Sequence, residues 1–159
     1  DNTAHSILVD YIGFQTLKNY GKSLGATSTL VGGDSFGTMN VHDAIIYITK
    51  LDELINKDAT LGSELQSYFV NSDQNYLNFP EENIQAAQKY GQYEIYYHEN
   101  GIVYTPNKYY VSILTSEGQN KSGFEKVIRN INTKVYELHQ AFYQNRQDTC
   151  YNYVYNQEQ

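Results

Sequence analysis

The sequence predicts a mixed α/β fold of the α+β type, in which an antiparallel sheet is flanked by helices. Helical periodicity occupies most of the first half of the chain and one long stretch near its end. Between these regions, residues 85–115 form β-rich runs separated by turn residues. The length of 159 residues suits one domain, and we see no internal repeat.

Four helices are predicted before the strands. Gly13 separates the first two, Gly25 ends the second, and Asn40 can cap the third. Val41 and Leu61 are among the apolar residues expected to face inward on the third and fourth helices. The predicted helices cover residues 3–12, 14–24, 40–56 and 61–69, and a polar linker then leads through residues 71–82 into the sheet.

Three antiparallel strands joined by two tight turns are predicted for residues 85–115. Tyr, Ile and Val fill the runs, as strands prefer. Asn100-Gly101 suits a two-residue hairpin, because both central residues of that turn need positive φ. Pro106 presets φ for the second turn, at residues 105–107.

A long amphipathic helix is predicted after the strands, over residues 123–143. We expect its apolar stripe to pack on the sheet and residues 144–159 to form a polar, tyrosine-rich tail without regular structure. The stripe comprises Phe124, Val127, Ile128, Ile131, Val135, Leu138 and Phe142.

Composition excludes several classes of function. The formal net charge is −7 and basic residues are scattered, which argues against a nucleic-acid partner. No apolar run approaches the ~20 residues of a membrane span. Cys150 is the single cysteine, so no internal disulfide can form. The histidines lack metal-ligand spacing, and we expect neither a metal nor a cofactor.

Two short motifs carry a resemblance to a known family. Asp1-Asn2, followed by Thr3-Ala4, resembles the end of an S-D-N motif, and Lys89-Tyr90-Gly91 resembles a K-T-G motif. Their order, and the strands and final helix around the second motif, match the penicillin-recognising serine hydrolases. That family includes class A β-lactamases and penicillin-binding proteins. The resemblance covers the chain to about Tyr143.

The resemblance implies a β-lactamase/DD-peptidase-like fold of which this chain is the C-terminal portion. Residues 1–79 would belong to the helical part, and residues 80–143 would supply the last three strands and the terminal helix. The nucleophilic serine of the S-x-x-K motif would lie upstream of Asp1. We therefore expect that missing N-terminal segment to be a partner of this chain and the isolated chain to be catalytically inert.

The resemblance also implies the site. Asn2 would donate to the substrate amide carbonyl, although an asparagine there could equally cap a helix. Lys89 would supply positive potential for the substrate carboxylate, and Gly91 would let the substrate approach the backbone. The N–H of Gln92 would form half of an oxyanion hole. Tyr90 replaces the Thr or Ser hydroxyl that contacts the carboxylate in the family, and alternation places it on the strand face opposite Lys89.

The loop at residues 26–38 departs further from the family. Class A β-lactamases hold a deacylating water there with a glutamate, and Asp34 is the only acid in this loop. We therefore expect slow deacylation.

The resemblance implies a serine hydrolase acting on β-lactams or D-Ala-D-Ala cell-wall peptides outside the cytoplasmic membrane, in a Gram-positive setting. One alternative is a non-catalytic module of the same fold that binds cell-wall peptide or protein. Another is a complete small α/β protein unrelated to the family.

Overall fold

The computed structural model describes residues 2–28 and 38–155, with residues 148–155 described by their backbone alone. Five helices and three strands occur in these ranges, in an order that confirms the predicted fold class. The elements are α1 (Asn2–Ile12), α2 (Phe14–Ser23), α3 (Val41–Lys57), α4 (Ala59–Val70), a 3-10 turn (Pro80–Glu82), β1 (Ala86–Tyr93), β2 (Tyr96–Val103), β3 (Tyr109–Thr115) and α5 (Lys121–Tyr155).

Local chemistry accounts for the helix boundaries. Gly13 separates α1 from α2 with a φ of 88°, and Gly25 follows α2 with a φ of 91°. Both values favour glycine because it lacks a Cβ. The side chain of Asn40 caps α3 by accepting a hydrogen bond from the Asp43 N–H at 2.8 Å. Asp58 caps α4 in the same way.

The sheet is the middle layer of three. It is antiparallel with the order β1-β2-β3, and we name its faces by the helices that cover them. The core on the α5 face comprises Tyr76, Leu77, Ile84, Ala86, Tyr97, Val103, Tyr109, Val111, Ile113, Phe124 and Ile128. The core on the α3/α4 face comprises Ile48, Ile55, Ala87 and Ile102, with further half-buried side chains from both helices.

The predicted hairpin turn at Asn100-Gly101 is wrong. β2 runs straight through both residues, and the β1–β2 turn falls at residues 94–95, where Glu94 adopts a φ of 51°. Residue 101 is glycine because a side chain would not fit there, and not because the backbone needs a positive φ. An added Cβ would lie 2.7 Å from the Ala87 carbonyl oxygen and 2.8 Å from Leu77 Cδ1. The second predicted turn, at residues 105–107, is confirmed between β2 and β3.

Two further boundaries differ from prediction. Helix α5 continues past the predicted end at Tyr143 as far as Tyr155, so residues 144–155 are helical rather than an unstructured tail. The predicted linker at residues 71–82 also contributes to the core, because Tyr76 and Leu77 are buried beneath α5. Leu77 is held by a hydrogen bond from Asn132 Nδ2 to its carbonyl oxygen at 2.9 Å.

Several apolar side chains expected to face inward are exposed. On α5, Phe124 and Ile128 are buried and Val135 packs against the core, whereas the remaining members of the predicted stripe lie open. Those open residues are Val127, Ile131, Leu138 and Phe142, and the same holds for Val41 on α3 and Leu61 on α4. Only part of the α5 stripe therefore packs on the sheet.

In the described ranges, no helix is both long enough and apolar enough to cross a membrane.

Candidate functional site

Four of the predicted site residues lie in sequence on β1, which is an edge strand of the sheet. Ala86 belongs to the core of the α5 face and Ala87 to that of the α3/α4 face, so the strand alternates regularly. The alternation places Lys89 and Gly91 on the α3/α4 face and Tyr90 on the α5 face.

The side chain of Lys89 is exposed and wraps around the strand edge. Its Nζ donates a hydrogen bond to the Tyr90 carbonyl oxygen and lies 4.7 Å from the centre of the Tyr90 ring. The ring face is electron-rich and attracts the ammonium. A fixed positive charge therefore stands at the open edge of β1.

The backbone at this edge is accessible. The Tyr90 carbonyl points outward to Lys89, and antiparallel strands direct alternate residues to the same side, so the Gln92 N–H also faces the open edge. An added Cβ at Gly91 would meet nothing within 4 Å. The Gln92 side chain is anchored separately, through a hydrogen bond from Nε2 to the Gly118 carbonyl oxygen at 3.2 Å.

The side chain of Tyr90 packs on the α5 face of the sheet. Its ring stacks on that of Tyr97 with centroids 6.0 Å apart, and Tyr97 in turn packs on Phe124 at 3.9 Å. Tyr97 is buried, and burial raises its pKa to about 12. The phenol of Tyr90 therefore lies on the face of the sheet opposite the Lys89 Cβ.

Asn2 stands apart from these residues. It is the exposed first residue of α1, and the described hydrogen bonds include none between Asn2 and β1. Asp1, and Asp34 in the predicted deacylation loop, lie outside the described residues. The segment that leads into that loop is anchored at Asp43, whose carboxylate accepts from the backbone N–H groups of Thr27 and Ser28 at 2.9 and 2.8 Å.

Two polar residues on β2, Asn100 and Glu99, were missed as site residues by sequence analysis, which placed Asn100 in a hairpin turn. Asn100 pairs with Lys89 on β1 and Ser112 on β3, forming a row across the α3/α4 face. Ser112 Oγ donates to Asn100 Oδ1 at 2.7 Å, which orients the amide. Glu99, on the opposite face, is fully buried, and neither of its carboxyl oxygens has a hydrogen-bond partner among the described residues.

Burial has a strong effect on the chemistry of Glu99. Desolvation raises its pKa to about 8, against an opposing effect from the positive charge of Lys89. The carboxyl is therefore mostly neutral at pH 7. No pattern in the sequence pointed to this acid, because its burial depends on the position of β2 in the centre of the sheet.

A second buried carboxylate has a structural role. Asp52 on α3 accepts hydrogen bonds from Lys108 Nζ at 2.5 Å, Tyr110 OH at 2.8 Å and Asn56 Nδ2 at 3.1 Å. Burial favours its neutral form, but these partners outweigh burial and leave the pKa of Asp52 below its ordinary value. The network joins α3 to the β2–β3 turn.

Among the described residues, no metal site overlaps the β1 edge. The described residues include no group of three or more His, Cys, Asp or Glu side chains placed to hold a metal ion. A cleft of about 310 Å³ lies between residues 76–82 and α5, and its walls contain none of the predicted site residues. The open edge of β1 thus remains the candidate site.

Comparison with known proteins identifies the family of the chain. The family model described as the beta-lactamase enzyme family matches residues 1–139. A search among curated proteins finds no match. The match covers most of the chain, including α1, the whole sheet and most of α5. The chain therefore belongs to the beta-lactamase enzyme family.

Proposed function

We propose that this chain carries the substrate-binding strand of a serine hydrolase that acts on β-lactams or D-Ala-D-Ala cell-wall peptides through an acyl-enzyme. The observation that carries the proposal is the open edge of β1, where the Lys89 ammonium, the bare backbone of Gly91 and the N–H of Gln92 follow one another. Family membership gives the hydrolase class.

The residues of this edge, together with Asn2 from α1, contact different groups of the substrate. Lys89 attracts the substrate carboxylate, because an ammonium is a strong point charge for an anion. The Gln92 N–H, held in a fixed position, donates a hydrogen bond to the developing oxyanion. Asn2, exposed on α1, donates its amide N–H to the substrate amide carbonyl.

The reaction needs a nucleophile from outside these residues. A serine oxygen attacks the substrate carbonyl carbon, the amide C–N bond breaks, and the nitrogen takes up a proton. Water then cleaves the ester and restores the serine. The exposed apolar residues of α1 and α5, among them Ile7, Leu8, Leu138 and Phe142, support a covering segment of the same protein as the source of that serine.

We also propose slow deacylation and a location outside the cytoplasmic membrane. The sequence contains no glutamate before Glu53, and Asp34 is the only acid at residues 26–38, so a base for the deacylating water is lacking there. Cell-wall peptides and β-lactams occur outside the cytoplasmic membrane, so a protein that acts on them is expected there.

The test is the intact mass of the full-length protein before and after incubation with a penicillin. We expect a covalent adduct of long lifetime. Lys89→Met should slow acylation about a hundredfold, whereas Lys126→Met, an exposed lysine on α5, should not change it. An adduct that disappears within seconds would contradict slow deacylation, and equal effects of the two substitutions would contradict the role of Lys89.

A non-catalytic module that binds cell-wall peptide is the second candidate. The packing of Tyr90 against Tyr97 favours it, because a side chain committed to the core contributes no hydroxyl to a substrate carboxylate. In that case the full-length protein would bind a D-Ala-D-Ala peptide reversibly, and its mass would not change with penicillin.

A further inference from the structure

Glu99 lies on the central strand of the sheet. It is 0% exposed, and within the part of the chain that the structure describes neither of its carboxyl oxygens has a hydrogen-bond partner. Buried polar groups are nearly always satisfied in folded proteins, so a fully orphaned carboxyl requires an explanation. Its position relative to Lys89 supplies one.

Tyr90 is a neighbour of both the acid and the ammonium. It is paired directly with Glu99 across β1 and β2. Because the Tyr90 carbonyl points to the open edge, this is a non-hydrogen-bonded pair, in which the side chains of the two residues approach most closely. Lys89 Nζ lies 4.7 Å from the centre of the same ring.

The surroundings of Glu99 contain few other charges. On its own strand Tyr97 shares its face, and from β3 the apolar Ile113 lies opposite it. Tyr76 approaches from the segment before β1, with Glu125 and Arg129 of α5 near the Tyr76 ring. The tyrosines are neutral near pH 7, since burial raises the pKa of both Tyr97 and Tyr76.

We propose that Glu99 is a positioning residue that acts through Lys89: the ionised carboxylate holds the ammonium over Tyr90, and the neutral acid releases it to an anion bound at the β1 edge. The two charges attract each other, and the positive charge of Lys89 opposes the effect of burial on the pKa of Glu99. The substrate half of this inference rests on the proposed function of Lys89, whereas the link between Glu99 and Lys89 does not.

The link can be tested on the 159-residue chain with ¹³C-labelled glutamate and lysine. The side-chain carboxyl carbon of Glu99 should titrate with a midpoint near the pKa of about 8. The Lys89 ε-carbon resonance should move with the same midpoint in the wild-type chain. Glu99→Gln should abolish that movement, and Glu81→Gln, an exposed matched control, should leave it unchanged.

The substrate half is tested by adding benzylpenicillin, an anion, to the same samples. We expect the affinity reported by Lys89 to fall at least about fivefold between pH 7 and pH 9 in the wild type. Glu99→Gln should show no such fall, and Glu99→Asp should restore part of it.

The outcomes separate the two proposals. If the Lys89 ε-carbon resonance does not move as Glu99 titrates, the positioning role is wrong. The pH series of the wild-type chain is sufficient to decide this. If the Lys89 ε-carbon resonance moves with the titration of Glu99 but does not change when benzylpenicillin is added, the positioning role is supported. The substrate-binding role proposed for Lys89 is then contradicted.

Discussion

At the scale of single residues, Glu99 makes the free energy of unfolding depend on pH. Its pKa is raised by burial from 4.5 to about 8 in the folded state. The unfolded chain therefore releases the proton first, and the free energy of unfolding falls as the pH rises from about 4.5 to about 8. Below this window the neutral acid has no such effect.

Replacing Glu99 with Gln should remove this pH dependence. At pH 7 we expect the variant to be more stable than the wild type by about 2 to 3 kcal/mol, because Gln cannot ionise. Urea denaturation at pH 5, 7 and 9 measures the effect, and the exposed Glu81→Gln variant is the control. A wild type and a Glu99→Gln variant with parallel pH profiles would contradict the expectation.

Sequence reasoning could not have found the partners of the buried acids. Asp52 bonds with Lys108 and Tyr110, which lie 56 and 58 positions away. Periodicity reports which face of an element is apolar, but not which distant element will cover it. The residues of β1 were easier to find because they lie within one short motif.

At the scale of elements, the two glycines of the β1–β2 ladder have different reasons to be glycine. Gly101→Ala should destabilise the fold by about 1 to 3 kcal/mol, because the new Cβ would overlap the Ala87 carbonyl and Leu77. Gly91→Ala is the matched control, since its Cβ would meet nothing within 4 Å.

Thermal or urea unfolding of the two variants measures this difference. Equal losses of stability would show that strand propensity, rather than close packing, requires glycine at residue 101. The comparison also explains the misplaced turn. Asn-Gly is a strong local signal for a hairpin, but here the glycine serves close packing, which no local signal reveals.

The helices were predicted better than the turns. Four of them follow the apolar periodicity to within a few residues, with Gly13 and Asn40 at the predicted boundaries. The predicted end of α5 at Tyr143 was wrong because the apolar stripe fades there while the backbone continues to Tyr155. Exposed helical residues, such as 144–147, need no apolar face, so the pattern carries no information about them.

At the scale of the whole molecule, apolar surface is left open on two separated helices. On α5, Leu138 is 70% exposed and Phe142 is 55% exposed, and on α1 Tyr11 is 88% exposed. Large apolar side chains exposed together on one helix, such as Leu138 and Phe142, indicate a site of interaction.

We therefore expect the isolated chain to self-associate with increasing concentration. Leu138→Ser combined with Phe142→Ser should weaken this association at least about tenfold, because each large side chain contributes about 1.5 to 3 kcal/mol when buried. Sedimentation velocity measures the effect. Met39→Ser combined with Leu61→Ser, at exposed positions elsewhere, is the control. A strictly monomeric chain would contradict the expectation.

The anchor of Gln92 has a consequence for the order in which the site forms during synthesis. Its partner Gly118 lies 26 positions further along the chain, and the Gly118 N–H also bonds to the Ile95 carbonyl at 2.7 Å. The β1–β2 hairpin can pair as soon as both strands leave the ribosome. The end of β1 that presents the Gln92 amide is fixed only later, when the chain has been made as far as the start of α5.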